Sequence, residues 1–340
     1  MAMWKTIRGL GYEKRMRVRS NREWPSLERG ASPDYEPRPE PEMRLRRTMR
    51  PFAAPAQMAL VLFGLWGCSL IDPEQDIPSY LIVPDVTFTP GEDQGTASTN
   101  VTDIWVYSAT DVVGVFPLPA IVPVLPHDVQ GGPVTLLAGI RENGISNSRS
   151  PYPFYTTVER NVDGVPGSRD TLTPGFALVE DVRLLRIEDF ENSNVFGNLA
   201  SGEGMVRTAE SGEVFEGGRS GRIEVNEDVP LARVRTVEQE YDLSSAVPAF
   251  LELDYRCDQS FALGLYGYRD GIENKHLALV VNPTEEDGAG PLWNKLYVDL
   301  GPSISAQGPA DHFEVYVECI LEAGRSDGSV GLDNLRILTY

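Results

Sequence analysis

Three histidines, three cysteines and fifty carboxylates are the side chains of this 340-residue sequence that could do acid–base, nucleophilic or metal chemistry. Their spacing argues against most of it. His127, His276 and His312 are scattered, and none stands in the H-E-x-x-H pattern that puts two imidazoles on one helix face for zinc. Ser220 lies in GGRSGR, which is not the G-x-S-x-G turn that exposes a nucleophile, and no Gly-rich stretch sits between a strand and a helix as phosphate binding requires. Glu159, Asn161, Asp163, Gly164 and Asp170 fall at EF-hand positions, but the first is Glu, the last is Asp, and both flanks read as strands. A hairpin turn at NVDG is the better reading. In so acidic a chain any two carboxylates could be nominated as a glycosidase pair, so their number carries no catalytic message. The chain is expected not to be an enzyme.

A different pattern points to binding. In LELDYRC and FEVYVEC the residues alternate strictly, so one set faces inward (Leu251, Leu253, Tyr255, Cys257; Phe313, Val315, Val317, Cys319) and the other outward (Glu252, Asp254, Arg256; Glu314, Tyr316, Glu318). The same parity places Tyr266, Tyr268, Trp293, Lys295, Tyr297 and Asp299 on the outer side. One sheet face would then carry a row of rings among charged groups. Sugar rings offer an apolar C–H face for stacking and a rim of hydroxyls for carboxylates, amides or guanidinium. Trp293, Tyr297, Tyr266, Tyr268 and Tyr316, with Arg256, are therefore the glycan-binding candidates; the competing reading is that loops or a neighbouring domain cover them. Cys257 and Cys319 share the inward phase, which leaves two outcomes open, a disulfide across the core or two buried thiols.

These residues need strands to hold them. After residue 76, short runs rich in Val, Ile, Leu, Tyr and Phe alternate with clusters of Gly, Pro, Asn, Asp and Ser, and no long amphipathic helix is visible. The chain reads as all-β, in two sandwich domains. The first, over 78–180, is a small Pro-rich sandwich, immunoglobulin-like or transthyretin-like, whose prolines belong on edges and in loops because they cannot donate to a central ladder. Its RENGISNSRSPYPF segment (141–154) is either a contact loop or a packed crossover. The second domain covers 184–340.

The first fifth of the chain is an address. A basic stretch (Arg44, Arg46, Arg47, Arg50) precedes about fifteen mostly apolar residues, short of the roughly twenty needed to span a bilayer, which is the layout of a secretory signal. Leu65-Trp66-Gly67-Cys68 resembles the lipobox of bacterial lipoproteins, with Trp66 a departure where a small residue is usual. The resemblance implies a signal over 43–67, lipidation of Cys68 and an acidic tether over 68–77, hence a protein anchored to a membrane through that lipid, in the cell envelope, on the periplasmic or surface face of the outer membrane. Residues 1–42 read as disordered or as preceding the true start, with a cytoplasmic extension as the alternative. The formal net charge is −20, and the basic residues concentrate before residue 50, so the remainder is more acidic still. Nucleic acid is excluded as a partner on that ground.

IEDFENS, GGRSGRIEVNED, YDLSS, FLELDYRC, WNKLYVDLG, FEVYVEC and GSVGLDNLRILTY follow one another through 184–340. Together they resemble the jelly-roll carbohydrate-binding-module, or galactose-binding-like, superfamily. That resemblance implies a jelly roll and often a structural Ca²⁺, for which Glu188, Glu191 and Asp333 stand at matching positions, an ordinary solvated turn being the alternative. No other cofactor is expected. The combined expectation is a lipid-anchored, non-catalytic glycan-recognition protein, against the alternative of an assembly lipoprotein that binds another envelope protein.

Overall fold

The computed structural model describes residues 75–340, apart from 110, 131, 238–239 and 287–289. Cys68, the signal and the leader lie outside the described residues. Within them the chain is built from strands, with one short helix, Gly301–Gln307.

Period-two alternation makes the first sandwich. In Ser79–Val83 and Ala120–Val124 every second side chain is buried, and the two strands pair antiparallel. Arg169–Thr171 adds to the other side of Ser79–Val83 in parallel. The opposing five-stranded sheet runs in the order Val112–Pro117, Asp103–Tyr107, Val134–Arg141, Arg149–Pro151, with Val158–Arg160 also paired to Val134–Arg141. Leu81, Val83, Ile104, Val106, Val122 and Leu136 fill the space between. Pro117, Pro123 and Pro151 all lie on edge strands, where a residue without an N–H interrupts no ladder.

The second sandwich is a jelly roll. One sheet runs Met205–Thr208, Ser220–Asn226, Asp327–Thr339, Ala249–Cys257, Asn294–Asp299, with Arg183–Glu188 pairing the far end of Asp327–Thr339. The other runs Phe196–Asn198, Leu231–Thr236, His312–Ile320, Phe261–Arg269, Ile272–Val281. The chain passes repeatedly between the two sheets, as from Ser220–Asn226 to Leu231–Thr236, from Ala249–Cys257 to Phe261–Arg269, from Ile272–Val281 to Asn294–Asp299 and from His312–Ile320 to Asp327–Thr339. Leu251, Leu253, Tyr255 and Cys257 meet Leu263, Leu265, Phe313, Val315, Val317 and Cys319 in the core, each large side chain contributing about 1.5–3 kcal/mol by leaving water.

Ala249–Cys257 departs from a half-buried strand, since eight of its nine residues are buried and only Arg256 is intermediate. Its second face is covered by the first sandwich. Tyr152 and Phe154 of the 141–154 segment pack edge-on against Phe250, at 5.5 and 5.9 Å between centroids, and Tyr152 lies 4.9 Å from Tyr297. That segment is therefore a contact between the two sandwiches. Beside the rings sits a buried charge cluster. Glu252 takes Arg336 Nε at 2.8 Å and Nη2 at 2.6 Å, Lys295 Nζ lies 3.3 Å away, and the Tyr152 hydroxyl donates to the remaining oxygen. Burial by itself would raise the Glu252 pKa; the two cations outweigh it and hold the carboxyl below its ordinary value. Asp254 accepts from Ser98 at 2.6 Å and from Asn334 at 3.2 Å, and Arg336 donates to the Gln94 carbonyl at 3.0 Å.

Candidate functional site

The expected single row of outward rings is divided between two opposite faces of the jelly roll, because Ala249–Cys257 and His312–Ile320 belong to different sheets. The alternation holds; the shared face does not.

On the six-stranded side, Tyr297 is 2% exposed. Its ring is enclosed by the first sandwich, and its hydroxyl is met by the Asn100 N–H at 3.0 Å and the Thr99 hydroxyl at 3.1 Å. No ring face is left for a ligand. On the five-stranded side, Tyr266 and Tyr316 sit 5.2 Å apart, but cations already lie on them, Lys275 Nζ 4.5 Å above Tyr316 and Arg235 5.6 Å above Tyr266. Tyr268 stacks on His312 at 4.4 Å, and its hydroxyl lies 2.9 Å from both Glu273 and Glu314. Burial first, and then those carboxylates, push its pKa up. Covered rings of this kind serve the sheet's own cation–π and ion-pair lattice.

Trp293 differs. It precedes the edge strand Asn294–Asp299, is half-buried, and tilts against Phe215 at 5.4 Å. Its indole reaches across the sheet to Gly331, where a Cβ would stand 3.3 Å from Cη2 and 2.7 Å from Arg256 Cγ. Glycine at 331 is what lets the indole and the Arg256 stem lie on the sheet. Arg256 is fixed by donating to the Gly212 carbonyl.

Beside Trp293 the sandwich opens into a cleft of about 700 Å³, at the edge where Ile272–Val281 and Asn294–Asp299 flank the two sheets. Tyr255, Leu296, Leu279 and Val281 line it with apolar surface, and Trp293 and Leu292 border it. The polar lining is made of Asn143, Asn282, Thr284 and Asn294. Thr284 Oγ1 accepts from the Cys257 N–H at 3.0 Å, and Asn294 Oδ1 accepts from Asn100 Nδ2 at 3.1 Å. The volume and the mix of apolar wall with a few oriented polar groups are those of a small-molecule site. The four polar residues escaped sequence reading because single amides at strand ends have no periodicity. The one available signal was the Asn143-Gly144 pair, which marks a hairpin turn but not what the turn touches.

Of the calcium candidates, Glu191 and Asp333 line one small pocket together with Asp189 and Glu216, and Glu188 lies outside that lining. Glu188 accepts from the N–H groups of Phe190 and Val195, both at 2.8 Å. Glu191 accepts from Gly218 at 2.6 Å and Arg219 at 3.0 Å. Asp333 accepts from the Ser220 hydroxyl at 2.6 Å and the Asn334 N–H at 2.8 Å. Each carboxylate accepts from protein donors, and among the described residues no group of three His, Cys, Asp or Glu is arranged to hold a metal. Cys257 and Cys319 are two buried thiols, the first donating to the Asn282 carbonyl at 3.3 Å and the second accepting from Gln259 at 2.7 Å. Burial raises their pKa values to about 12 and about 11. The EF-hand-like run holds an ion pair instead, Arg160 to Asp170 at 2.6 Å.

No family model matches the chain, and no curated protein does. Solved structures similar to it include the family 30 carbohydrate-binding module of the cellulosomal cellulase Cel9D-Cel44B of Clostridium thermocellum, at 13% identity, 46% of this chain, 96% of that one and a TM-score of 0.33. The family 11 module from Clostridium thermocellum in complex with a β-1,3-1,4-mixed-linked tetrasaccharide gives 12%, 46%, 94% and 0.33. TmCBM61 in complex with β-1,4-galactotriose gives 10%, 44%, 92% and 0.30. The strand order, not these distant likenesses, defines the class: over the described residues, a nearly all-β structure of two sandwiches, the second a jelly roll.

Proposed function

We propose that the chain is a non-catalytic glycan-recognition protein whose binding site is the Trp293 cleft, held at the outer membrane of the cell envelope through lipidated Cys68. The observation that carries the binding reading is the pairing, in one cleft, of an indole and a phenol with oriented amides and a hydroxyl. Rings supply stacking for sugar C–H faces, and amides and hydroxyls supply the hydrogen bonds.

Affinity electrophoresis of the full chain through gels containing mixed-linked β-1,3-1,4-glucan, β-1,4-galactan or galactomannan tests this. Wild type is expected to be retarded by at least one of them, and Trp293→Ala to lose about 1 kcal/mol, roughly fivefold in affinity. Equal mobility of the two proteins in every gel would sink the assignment. Lipidation is checked separately, by the mass of the peptide that begins at Cys68.

A second reading, docking onto another envelope protein, draws on the exposed Leu277, Val280 and Ile320, which border a groove of about 500 Å³ beside Tyr316 and Lys275. It expects cross-linking at that groove, with Leu277→Glu abolishing the cross-link and leaving polysaccharide mobility unchanged.

A further inference from the structure

The cleft belongs to neither sandwich alone. Asn143, Gly144 and Ile145 come from the first sandwich and form one of its walls, while Trp293, Tyr255, Asn282 and Asn294 come from the second. The wall is a tight turn. Asn143 and Gly144 both have left-handed backbones, with φ of 55° and 67°, and the Ile145 N–H donates to the Glu142 carbonyl at 3.0 Å, the geometry that favours Asn-Gly. Backbone contacts dock the turn on the edge strand of the jelly roll. Glu142 bridges to Tyr297, and the Asn143 N–H donates to the Tyr297 carbonyl at 2.8 Å. At Gly144 a Cβ would stand 3.2 Å from Leu296 Cδ1, so the turn closes over the side chain that forms part of the cleft's apolar lining.

The turn also brings a polar group in a defined orientation. Asn143 Oδ1 accepts from the Asp299 N–H at 3.0 Å, which fixes the amide and leaves Nδ2 to donate to a ligand. Among the described residues the lining of the cleft contains no Asp, Glu, Lys, Arg or His, although 24% of the chain is charged. A uronate or sulfate brought against these walls would lose hydration with no cation among the described lining residues to meet it, and an anionic polymer is further repelled by the net charge of −20. Hydroxyl, ring and glycosidic oxygens of a neutral sugar match an N–H donor without that cost.

Resting on the glycan reading above, we infer that the ligand is a neutral glycan and that the Asn143-Gly144 turn of the first sandwich completes the site that selects it. The test uses the full chain with the three neutral polysaccharides named above, and polygalacturonate and alginate as acidic probes. Asn143→Asp keeps the acceptor for Asp299 and tolerates the left-handed backbone, but replaces the donor with a negative charge. Ile145→Glu places a carboxylate on the same wall at a side chain already 51% exposed, where the fold is not at stake. Wild type is expected to be retarded by a neutral polymer and by neither acidic one. Each variant should weaken that retention at least tenfold with thermal unfolding unchanged for Ile145→Glu. If Trp293→Ala loses retention while both turn variants keep it, the joint site is refuted and the glycan reading stands. Retardation of wild type by an acidic polymer refutes neutrality. If no polymer of either class retards wild type, the glycan reading and this inference fall together.

Discussion

Glu252 and Glu318 both project from an interior strand of the jelly roll, away from the shared core, and each is held by two cations. Glu252 has Arg336 and Lys295; Glu318 has Arg233 and Lys275, the latter at 2.9 Å. The difference lies in what stands above them. The Glu252 side chain is 0% exposed beneath the first sandwich, whereas Glu318 keeps 12% and its partners about a third. On one face, pairing is the condition for burial. On the other it is a decoration that water could replace. Two outer surfaces with the same alternation thus do different work, the six-stranded one as an inter-sandwich seam and the five-stranded one as a solvated, self-paired face.

Breaking the seam should have the largest effect. Arg336→Met leaves the Glu252 carboxylate buried with Lys295 as its remaining cation, and the expected loss is about 3–5 kcal/mol, read as a drop in the denaturation midpoint. Glu252→Gln should lose somewhat less, since the one amide oxygen of Gln still accepts from Arg336 and its NH2 can donate to the Tyr152 hydroxyl, while two cations are left partly uncompensated. A loss below about 1 kcal/mol in both would mean the seam is solvated and the contrast between the faces is false.

The seam also explains what could and could not be read in advance. Alternation sorted Leu251 from Glu252 and Val317 from Glu318 correctly, because strand parity is a local property of the backbone. What covers each face is set by contacts between residues far apart in sequence, Tyr152 with Glu252 or Gln94 with Arg336, and no local pattern records them. The rings show the same divide. Tyr297 and Trp293 are four residues apart and share a parity, yet one is sealed by Thr99 and Asn100 and the other borders the cleft. The calcium candidates divide likewise. Glu188 accepts from N–H groups of its own turn, whereas Glu191 accepts from Gly218 and Arg219 and Asp333 from the Ser220 hydroxyl, partners far along the chain.

Asp333 sharpens the comparison at the margin of the seam. Burial, above all, raises its pKa to about 6, against hydrogen bonds from Ser220 and Asn334 that pull it down. A carboxyl whose folded pKa exceeds its unfolded value binds its proton more tightly in the folded state, so its contribution to stability is greatest below the unfolded pKa, near 4, and is lost as pH rises to about 6. Glu252, with a lowered pKa, acts in the opposite sense and favours the fold as pH rises through the ordinary carboxylate range. Asp333→Asn keeps one acceptor oxygen, for the Asn334 N–H, turns its NH2 towards the Ser220 hydroxyl oxygen, and removes the titration. The variant should be more stable than wild type at pH 7 and lose that advantage towards pH 4, as measured by urea midpoints across this range. A constant difference between the two proteins would show that Asp333 titrates normally.

The smallest effect belongs to the open face. Glu318→Gln abolishes the charge that Arg233 and Lys275 share, but both cations retain access to water, and Gln still accepts a hydrogen bond from either. Burial raises the pKa of Glu318 and the two cations more than compensate, so it lies below its ordinary value; its two partners are about a third exposed, and the shift is screened accordingly. The expected loss is about 0–1 kcal/mol at low salt and should shrink further at high ionic strength, where exposed pairs are screened and buried ones are not. Running Arg336→Met and Glu318→Gln in parallel over a salt series turns the contrast into a single observable. The first difference from wild type should be nearly flat with salt and the second should decay, because only a pair that water reaches can be reached by ions.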